Sequence, residues 1–287
     1  MRVTLSSSDM TLELDPCAGG AVSALRHRDL NILRPGPNRI GPAFDAVNYA
    51  GFPMIPFVGR IHNGKFNCNG AAIELPANMP PEPHAIHGHG WRAAWKLQSE
   101  TETTATLAYE HSSDAWPWDY AAQQVFEIDE NQLSVRLSVT NHGANDMPAG
   151  LGWHPYFPRE KATIKVATSH EWASDERTGN NIPYPIVSAA DLSAGKPVEE
   201  LTLDTTFSIR EPSISVVWPT HSIRMISDPV FRHATLYVPP GEDFFCAEPI
   251  THAPNAVNSA RSSDETGLEW LAPGETLSGS IVLSVAH

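Results

Sequence analysis

Between positions 133 and 140 apolar and polar side chains alternate, with Leu133, Val135, Leu137 and Val139 set against Ser134, Arg136, Ser138 and Thr140. A period of two puts the apolar set on one face of an extended chain, so the segment predicts a half-buried strand. Ile281, Leu283 and Val285 repeat the pattern near the C-terminus, and Ala105, Leu107 and Tyr109 in the middle. Between these runs the turn chemistry suits antiparallel pairing. Asn63-Gly64 and Asn69-Gly70 flank the short run Lys65–Cys68, and Asp129-Glu130-Asn131 separates two strand-like segments. Helical periodicity is weak throughout, and the best candidate helix, residues 188–194, is short and loop-like. Strands that recur without amphipathic helices between them predict an all-β fold, an antiparallel sandwich rather than a βαβ arrangement.

Composition narrows this further. No fixed-period repeat, low-complexity tract or linker divides the 287 residues, so one domain spanning 1–287 is expected. The stretch 179–197 is rich in turn formers and reads as an insertion. With 25 prolines and 19 glycines the connections must be numerous and irregular. A net charge of −14 opposes binding to nucleic acid or an anionic membrane surface. Cys17, Cys68 and Cys246 are far apart and odd in number, which argues against a disulfide framework. The start lacks the basic and apolar regions of a signal peptide, and no apolar run approaches membrane-spanning length. A cytoplasmic protein is expected.

Four segments carry candidate chemistry. In Gly59-Arg60-Ile61-His62-Asn63-Gly64-Lys65-Phe66 an arginine precedes a turn and a strand; taken alone, Arg60 is best read as half of a surface ion pair. The run His84-Ala85-Ile86-His87-Gly88-His89-Gly90-Trp91 interleaves three histidines with glycines. Imidazoles so close together can bind a metal, but the glutamate that a cupin-type metal motif needs does not follow. The other reading is a histidine acting as acid, base or donor. His87, beside Gly88, is then best placed to face a cleft, with His84 and His89 as bystanders. In Gly152-Trp153-His154-Pro155-Tyr156-Phe157 one imidazole sits among aromatic rings. That suits either a buried structural histidine or a sugar site, since the C–H faces of a pyranose pack on such rings. Finally, Glu248 lies inside the apolar run Phe244-Phe245-Cys246-Ala247-Glu248-Pro249-Ile250. A buried carboxylate must be paired or raised in pKa, so a structural pair and a general base near neutrality are equally good readings.

In this order the segments resemble the aldose 1-epimerase (galactose mutarotase-like) family. Gly59-Arg60-Ile61-His62-Asn63-Gly64-Lys65-Phe66 is similar to that family's arginine-bearing hairpin, Ile86-His87-Gly88 to its Leu-His-Gly segment, and His154-Pro155-Tyr156-Phe157 to its His-x-Tyr-Phe segment. Leu203-Asp204-Thr205-Thr206-Phe207 resembles its aspartate-bearing turn, Ala247-Glu248-Pro249 its Leu-Glu-Pro, and Leu271-Ala272-Pro273-Gly274-Glu275-Thr276 the turn before its last strand. The resemblance implies a large β-sandwich of the galactose mutarotase-like type and an isomerase that interconverts the anomers of a free monosaccharide. It implies Glu248 as base on the anomeric hydroxyl, His154 as acid toward the ring oxygen, and His87 bonding near that oxygen. Arg60 and Asp204 would hold sugar hydroxyls. Trp153 and Trp91 are candidates for stacking on the sugar, as are Trp116 and Trp118.

The chain departs from the family pattern at His89, where a glycine is expected, at Trp153, where an asparagine is frequent, and at Ile250-Thr251-His252, where a glutamine is missing. These changes leave the acid/base set intact and alter its surroundings, so the resemblance does not extend to a particular sugar. No cofactor and no metal are expected, because no redox change or group transfer occurs. A monomer or homodimer is expected. The rival readings are a non-catalytic sugar-binding protein of the same fold and a sugar-6-phosphate 1-epimerase. A third is a metal enzyme built on His84, His87 and His89.

Overall fold

The alternating segments become strands whose burial follows the same period. Gln132–Asn141 buries Leu133, Val135, Leu137 and Val139, and Thr276–Ala286 buries Leu277, Ile281, Leu283 and Val285. The two pair antiparallel, Val135 opposite Ile281. Asp129-Glu130-Asn131 joins Tyr120–Ile128 to Gln132–Asn141 as a hairpin, and Asn69-Gly70 joins Lys65–Cys68 to Ala71–Glu74 with both turn residues at positive φ. The computed structural model describes residues 2–36, 46–174, 181–186 and 191–287. Of the candidate helix at 188–194, residues 188–190 lie outside the described part and 191–194 are not helical. The one α-helix among the described residues is the single turn Ser263–Thr266, and no described helix is long and apolar enough to cross a membrane.

Two runs of neighbouring strands build the sandwich. In the first, Val3–Ser6, Met10–Asp15, Ala21–His27, Gly51–Met54, Gly152–Pro158, Phe244–Ile250 and His233–Val238 pair in that order. In the second, Lys96–Glu100, Thr104–His111, Tyr120–Ile128, Gln132–Asn141, Thr276–Ala286 and Ser222–Ser227 do so. The long strand Leu203–Val217 belongs to both: its first half pairs with His233–Val238 and its second half with Ser222–Ser227. Its partner Thr163–Ser174 pairs with it from Val217 to Thr206, with register shifts around Thr168 where the pair bends from one layer toward the other. The candidate insertion decorates that partner, since Asn181–Pro185 and Lys196–Pro197 pair with its two ends. All of these ladders are antiparallel; the main apolar cluster runs from Val3 to Val285, and a second gathers Tyr49, Phe52, Trp91 and Tyr156. The fold is the expected all-β sandwich.

Candidate active site

Side chains directly opposite one another on neighbouring strands share a face of the sheet. In the first layer this rule draws one row across six strands: Phe52, His154, Glu248, Thr235, Thr206 and Trp172. Phe52 pairs with His154, Glu248 with Thr235, Thr235 with Thr206, and Thr206 with Trp172. His154 and Glu248 fall opposite each other between the paired positions Gly152–Ile250 and Tyr156–Cys246. All six line one cavity of about 960 Å³. Two residues along, a second row runs Tyr156, Cys246, Tyr237 and Asp204, of which Tyr156, Tyr237 and Asp204 also line the cavity.

The middle of the first row brings a carboxyl and an imidazole together. His154 Nε2 lies 3.2 Å from Glu248 Oε1, and both side chains are less than a tenth exposed. Burial pushes the Glu248 carboxyl well above the usual carboxylate range, and the charge of Asp204 adds to this. Burial also depresses His154, to about 3, helped by the cation of Arg34. The two shifts agree on one state: an uncharged pair holding one proton between Oε1 and Nε2, whose titration belongs to the pair. The imidazole is fixed by stacking on Phe52, with centroids 4.5 Å apart, and on Tyr156 at 4.8 Å.

His87 and Arg60 come from the opposite wall. Arg60 pairs with Ile86 in a short antiparallel ladder, which sets His87 beside it. His87 has φ +58 and is followed by Gly88 at φ +71, where an added Cβ would lie 2.1 Å from the Ile55 carbonyl oxygen. Only glycine fits there. The Gly59 N–H donates to His87 Nδ1 at 3.2 Å, which fixes the ring proton on Nε2. Burial, with the neighbouring His154 and Arg60, holds the His87 pKa well below 6.5, so the ring is a neutral donor. Asn78 clamps Ile86 from both sides, and Trp91 Nε1 donates to the Ile86 carbonyl. Arg60 Nη2 reaches Asp204 Oδ2 at 3.2 Å, and its Nε lies 3.7 Å from Glu82. Arg60 is therefore paired both with Glu82 and with the other residue expected to hold sugar.

Two expected sugar contacts lie elsewhere. Trp153 is fully buried in the apolar cluster and Trp91 is packed behind His87, at 6.3 Å edge-on; neither lines the cavity. Trp116 and Trp118 are likewise buried, against Phe57 and Phe66. His84, expected as a bystander, stands on the cavity wall 5.2 Å from the His62 ring. His89 belongs to a different group, bonded through Nδ1 to Tyr120 Oη and stacked on His111. His84, His87 and His89 therefore do not converge on one point.

Ligand atoms do come together in two other groups among the described residues: His89, His111 and Asp114, and His154, Cys246 and Glu248. In the first, the imidazoles are parallel to within 9° at 4.4 Å, so their in-plane lone pairs cannot meet at one ion. In the second, burial and Glu248 push the Cys246 thiol well up. The sequence did not single out Arg34. Its guanidinium lies over Tyr156 and Phe244, donates to the Val47 and Tyr49 carbonyls, and lines the cavity.

The sequence profile described as aldose 1-epimerase matches residues 2–284. The chain is 30% identical over 298 aligned positions to the uncharacterized protein YphB of Escherichia coli (strain K12), covering 98% of each. Its structure is similar to that of a candidate aldose 1-epimerase from Escherichia coli K12, with a TM-score of 0.88 at 29% identity over 99% and 98% of the two chains. It is also similar to that of galactose 1-epimerase from Lactobacillus acidophilus NCFM, with a TM-score of 0.81 at 16% identity over 100% and 95%. The last likeness is one of fold.

Proposed function

This chain belongs to the aldose 1-epimerase family, and on that premise we propose that it interconverts the α and β anomers of an aldose by acid and base catalysis at His154 and Glu248. The observation that carries the proposal is the buried contact of 3.2 Å between Nε2 and Oε1 on the cavity floor. Ring opening takes the proton from the anomeric O1, delivers one to the ring oxygen O5 and breaks the C1–O5 bond. With the shared proton moved from Oε1 to Nε2, Glu248 accepts the first proton as a carboxylate and His154 supplies the second, so the pair's total does not change. Rotation about C1–C2 presents the other face of the aldehyde, and the reverse transfers close the ring. The Nε2–H of His87 is aimed to bond the oxygen on which charge develops. Arg60 and Asp204 are polar groups on two sides of the cavity that can hold the remaining hydroxyls.

A purely binding protein has no use for a carboxyl raised in pKa beside an imidazole, and such perturbed pairs gather at catalytic centres. Among the described residues along the cavity, the carboxylates of Glu82, Glu171, Asp204 and Glu242 face only the two guanidiniums of Arg34 and Arg60. Lys65 is engaged with Glu74 on an exposed hairpin away from it. This balance favours a neutral sugar over its 6-phosphate. Exchange NMR on the purified protein, run over pentoses, hexoses, 6-deoxy and acidic sugars and a hexose 6-phosphate, tests the reading. Faster α/β exchange of at least one sugar is expected, and no acceleration of any would overturn it.

A further inference from the structure

Behind the wall that carries His87 and Arg60 stands a buried imidazole that the proposed chemistry does not use. His252 is almost fully buried and does not line the cavity. Its Nδ1–H donates to the Ala253 carbonyl at 2.8 Å, which leaves Nε2 as an acceptor, and the Val58 N–H donates to that atom at 3.2 Å. Burial holds its pKa at about 4, so at higher pH the ring is neutral and Nε2 keeps its lone pair.

Three chain segments meet at this ring. One comes from Glu248, since His252 lies just past the end of the strand Phe244–Ile250. The second leads to His154. Gly150, just ahead of the strand Gly152–Pro158, approaches so closely that an added Cβ would lie 2.1 Å from His252 Cδ2. Beside the ring the two segments are cross-bonded: the Leu151 N–H donates to Thr251 Oγ1 at 3.0 Å, and the Thr251 N–H to the Leu151 carbonyl at 2.9 Å. The third segment carries the opposite wall. Its only ladder among the described residues is the short one between Arg60–Ile61 and Ala85–Ile86. Its other N–H groups turn to side chains: Val58 to His252, Gly59 to His87 Nδ1, His62 to Asn255 Oδ1 at 3.0 Å and Asn63 to His84 Nδ1 at 3.0 Å. Val58 and Gly59 are consecutive, so holding the first amide restrains the second. Arg60 has further anchors in Asp204 and Glu82, whereas the tautomer and aim of His87 depend on the Gly59 N–H.

We infer that His252 is a positioning residue: through the Val58–Gly59 backbone it sets the tautomer and aim of His87 relative to Glu248 and His154, without touching the sugar. This rests on the anomer-exchange reading above and adds a residue to it. The test uses two variants. The amide of His252→Gln reaches the place of Nε2 and can accept from Val58; the shorter amide of His252→Asn reaches only the place of Nδ1. In each, kcat and KM are measured for a sugar that the unaltered protein turns over. Nitrogen NMR of the His87 ring, assigned by the signals missing in His87→Gln, reports its tautomer. His252→Asn should lower kcat by roughly 10–100-fold with KM little changed, the cost of a small misplacement at the reacting centre. Its His87 ring should pass from the Nε2–H tautomer to a mixture of both. His252→Gln should keep most of kcat and the Nε2–H tautomer. A merely structural role would destabilise both variants and leave the His87 tautomer alone; that result, or equal losses of kcat in the two, overturns the inference. If His252→Asn does not fold, His252→Met, of similar bulk and without a nitrogen or oxygen acceptor, takes its place with the same outcomes. Failure of all three to fold makes His252 a folding residue and also overturns it. No exchange of any sugar by the unaltered protein takes down the anomer-exchange reading, and the tautomer measurement then decides the positioning alone.

Discussion

The guanidinium of Arg34 sits 4.0 Å above the ring of Tyr156, and the same ring stacks on His154 at 4.8 Å. A cation fixed to two backbone carbonyls is thereby held close to the His154 imidazole, and its field opposes a second proton on the pair. Replacing Arg34 with Met keeps the apolar stem and removes the charge. His154 should then bind protons more readily, and the acid limb of the kcat profile should move to higher pH. A kcat–pH profile measured on both proteins checks this, and an acid limb that stays in place would refute the coupling.

Gly88 is the position on which the placement of His87 depends. Its φ of +71 and the approach of the Ile55 carbonyl leave no room for a methyl group. Gly88→Ala should destabilise the fold by about 1–3 kcal/mol, the range for a strained backbone residue. It should also lower kcat by displacing the Nε2–H donor. Urea unfolding and anomer-exchange rates read the two effects separately. Unchanged stability together with unchanged turnover would show that the turn adapts.

Much of this was legible from local pattern. Period-two alternation marked the strands Gln132–Asn141 and Thr276–Ala286, and Asn-Gly marked the hairpin turn at Asn69. Glu248 and His154 stood out as polar residues in apolar runs. The same alternation, applied within Gly152–Pro158, would have corrected the tryptophan expectation. Residues 154 and 156 face the cavity, so Trp153 must face the core, and Tyr156 joins the site. Arg34 carried no such signal. It reaches His154 only because Ala21–His27 and Gly51–Met54 bring its segment against Gly152–Pro158, a long-range pairing that no local motif encodes. The bends in Thr163–Ser174 and Leu203–Val217 were hidden for the same reason, since a register shift is a property of two strands together.

Acid should unfold this protein through its buried imidazoles. His154 and His233 are held at about 3, His89 and His252 at about 4, and His87 well below 6.5, burial being the largest cause for each. Between the folded value and 6.5 the unfolded chain binds a proton that the folded chain does not. Each such group then makes stability fall with falling pH, by up to ~1.4 kcal/mol per unit. Glu248 works the other way: its raised pKa gives the folded chain an extra proton above 4.5, so its contribution declines as pH rises. His84 and His221 are lowered likewise, so seven imidazoles against one carboxyl set the net direction. Tm should drop steadily from pH 6.5 to 4, as calorimetry can follow, and a flat Tm over that window would contradict neutral burial of these histidines.

The central claim is that one proton shared by Glu248 and His154 carries the exchange of anomers. Glu248→Gln is nearly isosteric and keeps a hydrogen-bond donor toward Nε2, so the fold should survive; His154→Asn removes the other partner. The most direct measurement is the rate of anomer exchange, by polarimetry on a freshly dissolved anomer of a sugar that the unaltered protein turns over. Each variant should lose about 10²–10⁴-fold in kcat while its circular dichroism spectrum stays unchanged. Turnover of Glu248→Gln within a few-fold of the unaltered protein would contradict the account.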